Sequence, residues 1–297
     1  LFRSGAQVMA KSVFSAMLAH HLDEGMDELR DSPHYPLYAS FKFDGIRGLN
    51  KGGMVVSRSD KMLPSAFIRN NYWGNELHGC DGEFVPTILR PGNVYKDSFS
   101  AVMTHGCMTP VDWHLFDHHA NVDWPFERRY AHLQEQLALY GTDGIRLIHQ
   151  ELVKCWDDLL AYEQVALDAG FEGLVVRRRD APYKYGRSTG PQQYLMAMVR
   201  IAKSECRILG FYEGLANNNE PIIDTRGYTT RSKHLAQMVG KDTLGGFYVQ
   251  DIHTGCEFKI GVGEGLDHAA RAEVWANQSR YKGQISKYKF KPYGVDV

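Results

Sequence analysis

The chain has 297 residues, 43% of them hydrophobic and 23% charged, a balance that fits a soluble globular protein of one large domain or two and excludes a disordered chain. Lys and Arg total 34 against 35 Asp and Glu, so any polyanion must be held by local clusters of cations rather than by bulk attraction. The cysteines (Cys80, Cys107, Cys155, Cys206, Cys256) are widely spaced without a CxxC pair, and no apolar run approaches the ~20 residues of a membrane span, so free thiols and a cytoplasmic location are expected.

Met9-Ala10-Lys11-Ser12 reads as a native start, with residues 1–8 an added segment. From 11 to 30 the apolar residues Val13, Met17, Leu18, Leu22, Met26 and Leu29 recur at helical spacing, and Pro33 and Pro36 end the predicted helix. Short β-type runs follow at 37–43, 54–58, 82–85 and 113–116, then helices at 125–140 and 154–169, a strand at 173–178, a Gly-rich loop at 185–191 and an apolar strand at 194–201. Beyond Ser204 the pattern changes to short strands at 206–212, 246–252, 257–262 and 284–290 with one helix near 268–278. That mixture predicts an α+β chain: a mixed-sheet domain over 1–203 and a small β-barrel of the oligonucleotide-binding type (OB-fold) over 204–297.

Two basic stretches stand out, Arg177-Arg178-Arg179 and the segment carrying Lys282, Lys287, Lys289 and Lys291; each reads as a nucleic-acid contact or as a solvated face. His114, His118 and His119 have no zinc-ligand spacing and no neighbouring cysteine. The segment with chemistry in it is Lys42-Phe43-Asp44-Gly45-Ile46-Arg47. A lysine attacks phosphorus only when neutral, so this one needs burial or neighbouring cations; the alternative is a charged surface turn.

An ordered set of segments decides between these. The lysine hexapeptide, Met54-Val55-Val56-Ser57-Arg58-Ser59, Cys80-Asp81-Gly82-Glu83-Phe84, Trp113-His114-Leu115-Phe116-Asp117 and Glu172-Gly173-Leu174-Val175-Val176-Arg177 follow one another. In that order they resemble the motifs of the covalent nucleotidyltransferase superfamily, and within it the ATP-dependent DNA ligases of the compact bacteriophage and bacterial kind. The resemblance implies that Lys42 takes AMP from ATP, that Asp44 and Arg47 contact the nucleotide and nick termini, and that Arg58 binds phosphate. It further implies that Glu83 holds the ribose hydroxyl or metal, that Phe116 stacks on adenine, and that Glu172 helps to bind Mg²⁺ or Mn²⁺. The domain after residue 204 would clamp nicked duplex DNA, with Lys282, Lys287 and Lys289, together with Arg47, Arg58 and Arg177, neutralising backbone phosphate.

One motif departs from the family. Two lysines normally alternate on one strand to grip the α-phosphate, and in register they fall on Ala197 and Val199. Side chains alternate across a strand, so Arg200 shares a face with Met196 and Met198 rather than with 195, 197 and 199. Three explanations stay open: a divergence compensated by Arg200 or Lys203, a deliberate replacement, or a register one residue out. The family also continues with a basic Arg-Phe-Pro segment, whereas this sequence stops at Val297.

The expected activity is sealing of 5′-phosphate/3′-hydroxyl nicks through lysyl-AMP, by a monomer serving DNA replication, repair or recombination, with activity reduced by the substitutions. The alternatives are an RNA ligase, a capping guanylyltransferase, a nick-binding module without catalysis, and a plain oligonucleotide-binding protein.

Overall fold

Two mixed sheets organise the N-terminal part of the chain and one antiparallel sheet the C-terminal part, and contacts divide accordingly into a unit running to Arg200 and a unit of Ile201–Lys291. The computed structural model describes residues 14–22, 26–90, 93–140, 143–223, 229–232, 234–263 and 265–292.

In chain order the first unit contains β1 (Met17–Leu18), β2 (His20–His21), α1 (Asp27–Arg30), β3 (Leu37–Phe41), β4 (Ile46–Lys51), β5 (Met54–Ser57), α2 (Ala66–Tyr72), β6 (Cys80–Pro86) and α3 (Val94–Met103). There follow β7 (Val111–His118), α4 (Phe126–Tyr140), β8 (Ile145–Leu147), β9 (Glu151–Val153), α5 (Trp156–Asp168), β10 (Gly173–Arg178), β11 (Gly186–Arg187) and β12 (Leu195–Val199). One sheet has the order β2-β12-β10-β3-β9 and the other β5-β4-β6-β7-β8. Each contains one parallel pair, β2 with β12 and β7 with β8.

Strand alternation gives the first sheet two different faces. Leu174 and Val176 of β10, Leu37 and Ala39 of β3, and Met196 and Met198 of β12 pack together beneath Leu29 of α1 and Leu159 and Ala166 of α5. Each such side chain removed from water contributes about 1.5–3 kcal/mol. The opposite face carries Ser40, Val175 and Ala197 in one cross-strand row, with Arg177 further along β10. In the second sheet the core is aromatic: Phe84 of β6 stacks on Trp113 of β7 with ring centroids 5.1 Å apart and planes 14° from parallel.

The helix expected over 11–30 is corrected by the structure. Residues 11–13 and 23–25 lie outside the described residues; of the rest, 17–18 and 20–21 are strands and only Asp27–Arg30 is helical. Met17 and Leu18 pair with Gly186 and Arg187, and His20 and His21 with Met196 and Ala197, so sheet edges offer this backbone the partners that a helix would have supplied. Met26, at φ 52, lies in the left-handed region immediately before α1 and bars a continuous helix through it.

The second unit contains β13 (Ala202–Asn217), β14 (Pro221–Ile223), β15 (Thr229–Arg231), β16 (Met238–Asp251), β17 (Glu257–Gly261), α6 (His268–Ala276), α7 (Gln278–Tyr281) and β18 (Ile285–Phe290). Its sheet runs β17-β16-β13-β18, antiparallel throughout, and β14 and β15 form a separate hairpin. Among the described residues this order leaves β17 and β18 as the sheet's edges.

Gly173 opens β10 with φ 143, and a Cβ there would be driven into the carbonyl of Met198 on β12. Gly173→Ala is expected to cost about 2 kcal/mol or more, read as a lower denaturation midpoint at unchanged slope.

Candidate active site

Lys42 follows directly on β3, and its amide donates to the carbonyl of Gly173 at 2.9 Å. This bond sets the end of β3 against the start of β10, with Lys42 across from Gly173 and one residue from Glu172. The Lys42 Nζ lies 2.5 Å from Glu172 Oε2, with the carboxylate buried and the lysine partly open to solvent. Burial of a carboxylate is tolerated here because a cation meets it directly.

Asp44 and Arg47 leave the same turn, and β4 carries Arg47 into register with Glu83 on β6. Arg47 donates through Nε to Asp81 Oδ1 at 2.8 Å and through Nη2 to Asp81 Oδ2 at 2.6 Å. Its Nη1 donates to the carbonyl of Met17 at 2.6 Å, and the Tyr183 hydroxyl donates to Asp81 Oδ2 at 2.7 Å. Burial opposes the Arg47 charge, yet Asp81 holds the guanidinium above its ordinary range, while burial pushes the Tyr183 hydroxyl well up. The sequence alone assigns no role to Asp81 or Tyr183; the position of Asp81, two residues before Glu83 on one strand, is the signal that points to it.

Glu83 behaves differently. Burial pushes its carboxyl up to about 7, against the pull of Arg47 and Lys42 and with the help of Asp81 and Asp44. Lys42, Asp44, Arg47 and Asp81 are therefore the charged groups that surround the Glu83 carboxyl. Phe116 of β7 lies half-buried between two guanidiniums, Arg47 at 5.2 Å and Arg177 at 5.1 Å from its ring centre. Phe43 rests on His114 with centroids 4.5 Å apart, a second contact between the sheets.

Arg177 is not a surface cation. It is 4% exposed, its Nε and Nη1 have no hydrogen-bond partner, and its guanidinium lies over Phe126 as well as Phe116. Burial lowers it to about 10 despite Asp117. Arg178 pairs with Asp180 at 2.7 Å and Arg179 with Glu127 at 2.8 Å, so the three arginines present no common basic face and Arg177 is not placed to reach a DNA backbone.

Ala197 pairs with Val175 and Val199 with Gly173, which puts both on the face that leads to Lys42. The two positions share one face, as strand alternation requires, and neither carries a cation. Arg200 cannot replace them: it donates through Nε to the buried Glu163 of α5 at 2.8 Å, on the opposite face. Arg58 is exposed just past β5. In the second unit Lys282, Lys287, Lys289 and Lys291 are exposed; Lys287 lies cross-strand from Glu205 and Lys289 from Lys203. His118 and His119 are buried, with Nε2 atoms on the backbone oxygens of His78 and Asn50, and act as interior hydrogen-bonding groups.

Among the described residues no group of three or more His, Cys, Asp and Glu could hold a metal by itself. Glu83 and Glu172, both beside Lys42, are the donors available to a hard cation that takes most of its ligands from phosphate and water.

The raised Glu83 carboxyl means that the folded chain binds more protons than the unfolded one between about pH 4.5 and 7, so stability falls as pH rises through that window. Glu83→Gln removes the penalty. Its melting temperature should exceed that of the parent by about 2–4 °C at pH 8 and match it near pH 4, measured without ligand.

No family model and no curated protein sequence matches the chain. Among solved structures it is similar to a Lig E DNA ligase described as DNA binding with a minimal scaffold, at 18% identity and a TM-score of 0.68, covering 94% of this chain and 93% of that one. It is also similar to the Chlorella virus DNA ligase-adenylate, at 23% identity and a TM-score of 0.56, covering 95% and 94%. Two mixed sheets followed by a small antiparallel sheet, matched over nearly the full length of both proteins, give this chain the fold of the compact DNA ligases, a nucleotidyltransferase domain with an OB-fold domain after it.

Proposed function

We propose that the chain is an ATP-dependent DNA ligase in which Lys42 carries AMP and passes it to the 5′-phosphate of a nick. The observation that carries this reading is the Lys42–Glu172 contact at 2.5 Å, with Glu83 and Arg47 in the same cleft of a ligase fold. In the first step Lys42 Nζ forms a bond to the α-phosphorus of ATP as the bond to pyrophosphate breaks. The contact between Lys42 and Glu172 supports a role for Glu172 in taking the lysine's proton, and Phe116 would offer a ring to the base. AMP then passes to the 5′-phosphate, and the 3′-hydroxyl displaces it. A divalent ion held by Glu83 and Glu172 would offset phosphate charge; the residues themselves orient the lysine and keep Arg47 fixed on Asp81.

Incubation with ATP and Mg²⁺ followed by intact-mass measurement should show one added AMP, absent in Lys42→Ala. If the parent adds no AMP under any divalent ion, the assignment falls. Ala197→Lys should accelerate the addition by about tenfold or more, because it restores a cation on the face that leads to Lys42.

The apolar pair Ala197 and Val199 favours one second reading, a nick-binding protein that transfers AMP weakly or not at all. It predicts nick binding without adenylylation. In either case Lys287→Ala and Lys289→Ala should each lower the slope of log affinity against log salt by about 1, without changing sequence preference, in titrations with nicked duplex.

A further inference from the structure

Among the described residues, pairing and burial leave the Lys42 face of the first sheet short of available cations. Arg47 is committed to Asp81, Arg177 is enclosed by Phe116 and Phe126, and Arg200 is turned away to Glu163. On the face itself Val175, Ala197 and Val199 are apolar. A nucleoside triphosphate carries several negative charges, and a single lysine that must act as nucleophile does not balance them.

Beside Ala197 the sheet has one more strand. β2 pairs in parallel with β12, Met196 to His20 and Ala197 to His21. Paired residues share a face, so His20 belongs with Met196 on the side of α1 and His21 with Ala197 on the other. An independent contact agrees: His20 Nε2 lies 2.9 Å from Glu28 of α1. A slip by one residue would have turned His21 to that carboxylate instead. His21 is exposed. Three strand spacings separate β2 from β3, roughly 14 Å, a width that an extended triphosphate can bridge between a lysine and an imidazole reaching inward.

We infer that His21 is a phosphate-binding residue of this cleft, holding the β,γ-phosphate tail of a nucleoside triphosphate whose α-phosphorus faces Lys42. It adds a donor from the strand beside β12, whose own front positions Ala197 and Val199 are apolar. The inference rests on the nucleotide reading above and adds a residue which the motifs do not contain. An imidazole N–H donates to a phosphate oxygen in either protonation state, so the contact does not require a charged ring.

The test is calorimetric titration of the full chain with ATP, ADP and AMP, for the parent, His21→Ala and His21→Ala/Ala197→Lys, with the fold checked by circular dichroism. His21→Ala should weaken ATP about tenfold and leave AMP within about twofold, and Ala197→Lys should restore ATP binding from the paired position. Unchanged ATP affinity, or equal losses for ATP and AMP, overturns the assignment. If His21→Ala does not fold, His21→Gln and His21→Lys decide it: Lys should bind ATP at least as tightly as the parent and tighter than Gln, and the reverse order overturns the assignment. A parent chain that binds none of the nucleotides overturns the nucleotide reading and this inference together, whereas a parent that binds ATP with no response at His21 overturns this inference alone.

Discussion

The hydrogen bond from the Lys42 amide to the Gly173 carbonyl is the constraint on which the candidate site depends. It continues the ladder between β3 and β10 one residue past the last strand pair, setting Lys42 across from Gly173, so that Glu172, the next residue outward, is within reach of the lysine side chain. The outcome is a lysine and a glutamate in direct contact. Neither is placed by its own turn alone; the antiparallel register of two apolar strands places both. Gly173 makes the closure possible, because the backbone there takes a conformation that a side chain would resist and lies against the Met198 carbonyl.

Electrostatics then divides the cleft into fixed and responsive groups. The Arg47–Asp81 fork, anchored further by Met17 and Tyr183, has every strong donor and acceptor directed at a partner and belongs to the scaffold. Glu83 has cations near it but not against it, and its carboxyl rises towards neutral pH. Between the two sheets, Phe116 with Arg47 and Arg177 forms a cation and aromatic layer in place of an aliphatic one. An aliphatic core would pack as well, but it would offer no polarity to a ligand.

The strands at 37–43, 173–178 and 194–201 were legible in the sequence because β-branched and apolar runs bounded by Gly or Pro have few other uses. The site residues were legible for a different reason, the order of short segments around Lys42, Glu83, Phe116 and Glu172. What escaped was tertiary in origin. α3 has Tyr95, Phe99 and Met103 on its exposed side, so its periodicity pointed outward and gave no helix signal. β4 begins after Gly45 and contains Gly48, which reads as a turn; the glycines are there because β6 and the ring of Phe84 lie too close for a Cβ. The N-terminal stretch had a helical period that the sheet edges overrode. Arg177 sat in a run of three arginines, and only the alternation of the strand separates the buried one from its neighbours.

The ion pair between Arg200 and Glu163 has a wider meaning for how such a chain can change. It fastens the end of β12 to α5 from the side opposite Lys42, and Met196 and Met198 hold the same strand to the same layer. Much of what keeps β12 in place therefore lies behind the sheet, with Leu195 adding contacts to Met17 and Tyr183 in front. The front positions, 197 and 199, can exchange apolar for cationic side chains while the strand keeps its register and its anchorage. Anchorage and the chemistry offered to the cleft are in this way carried mainly by different surfaces of one strand, so a substitution in front changes the second with little effect on the first.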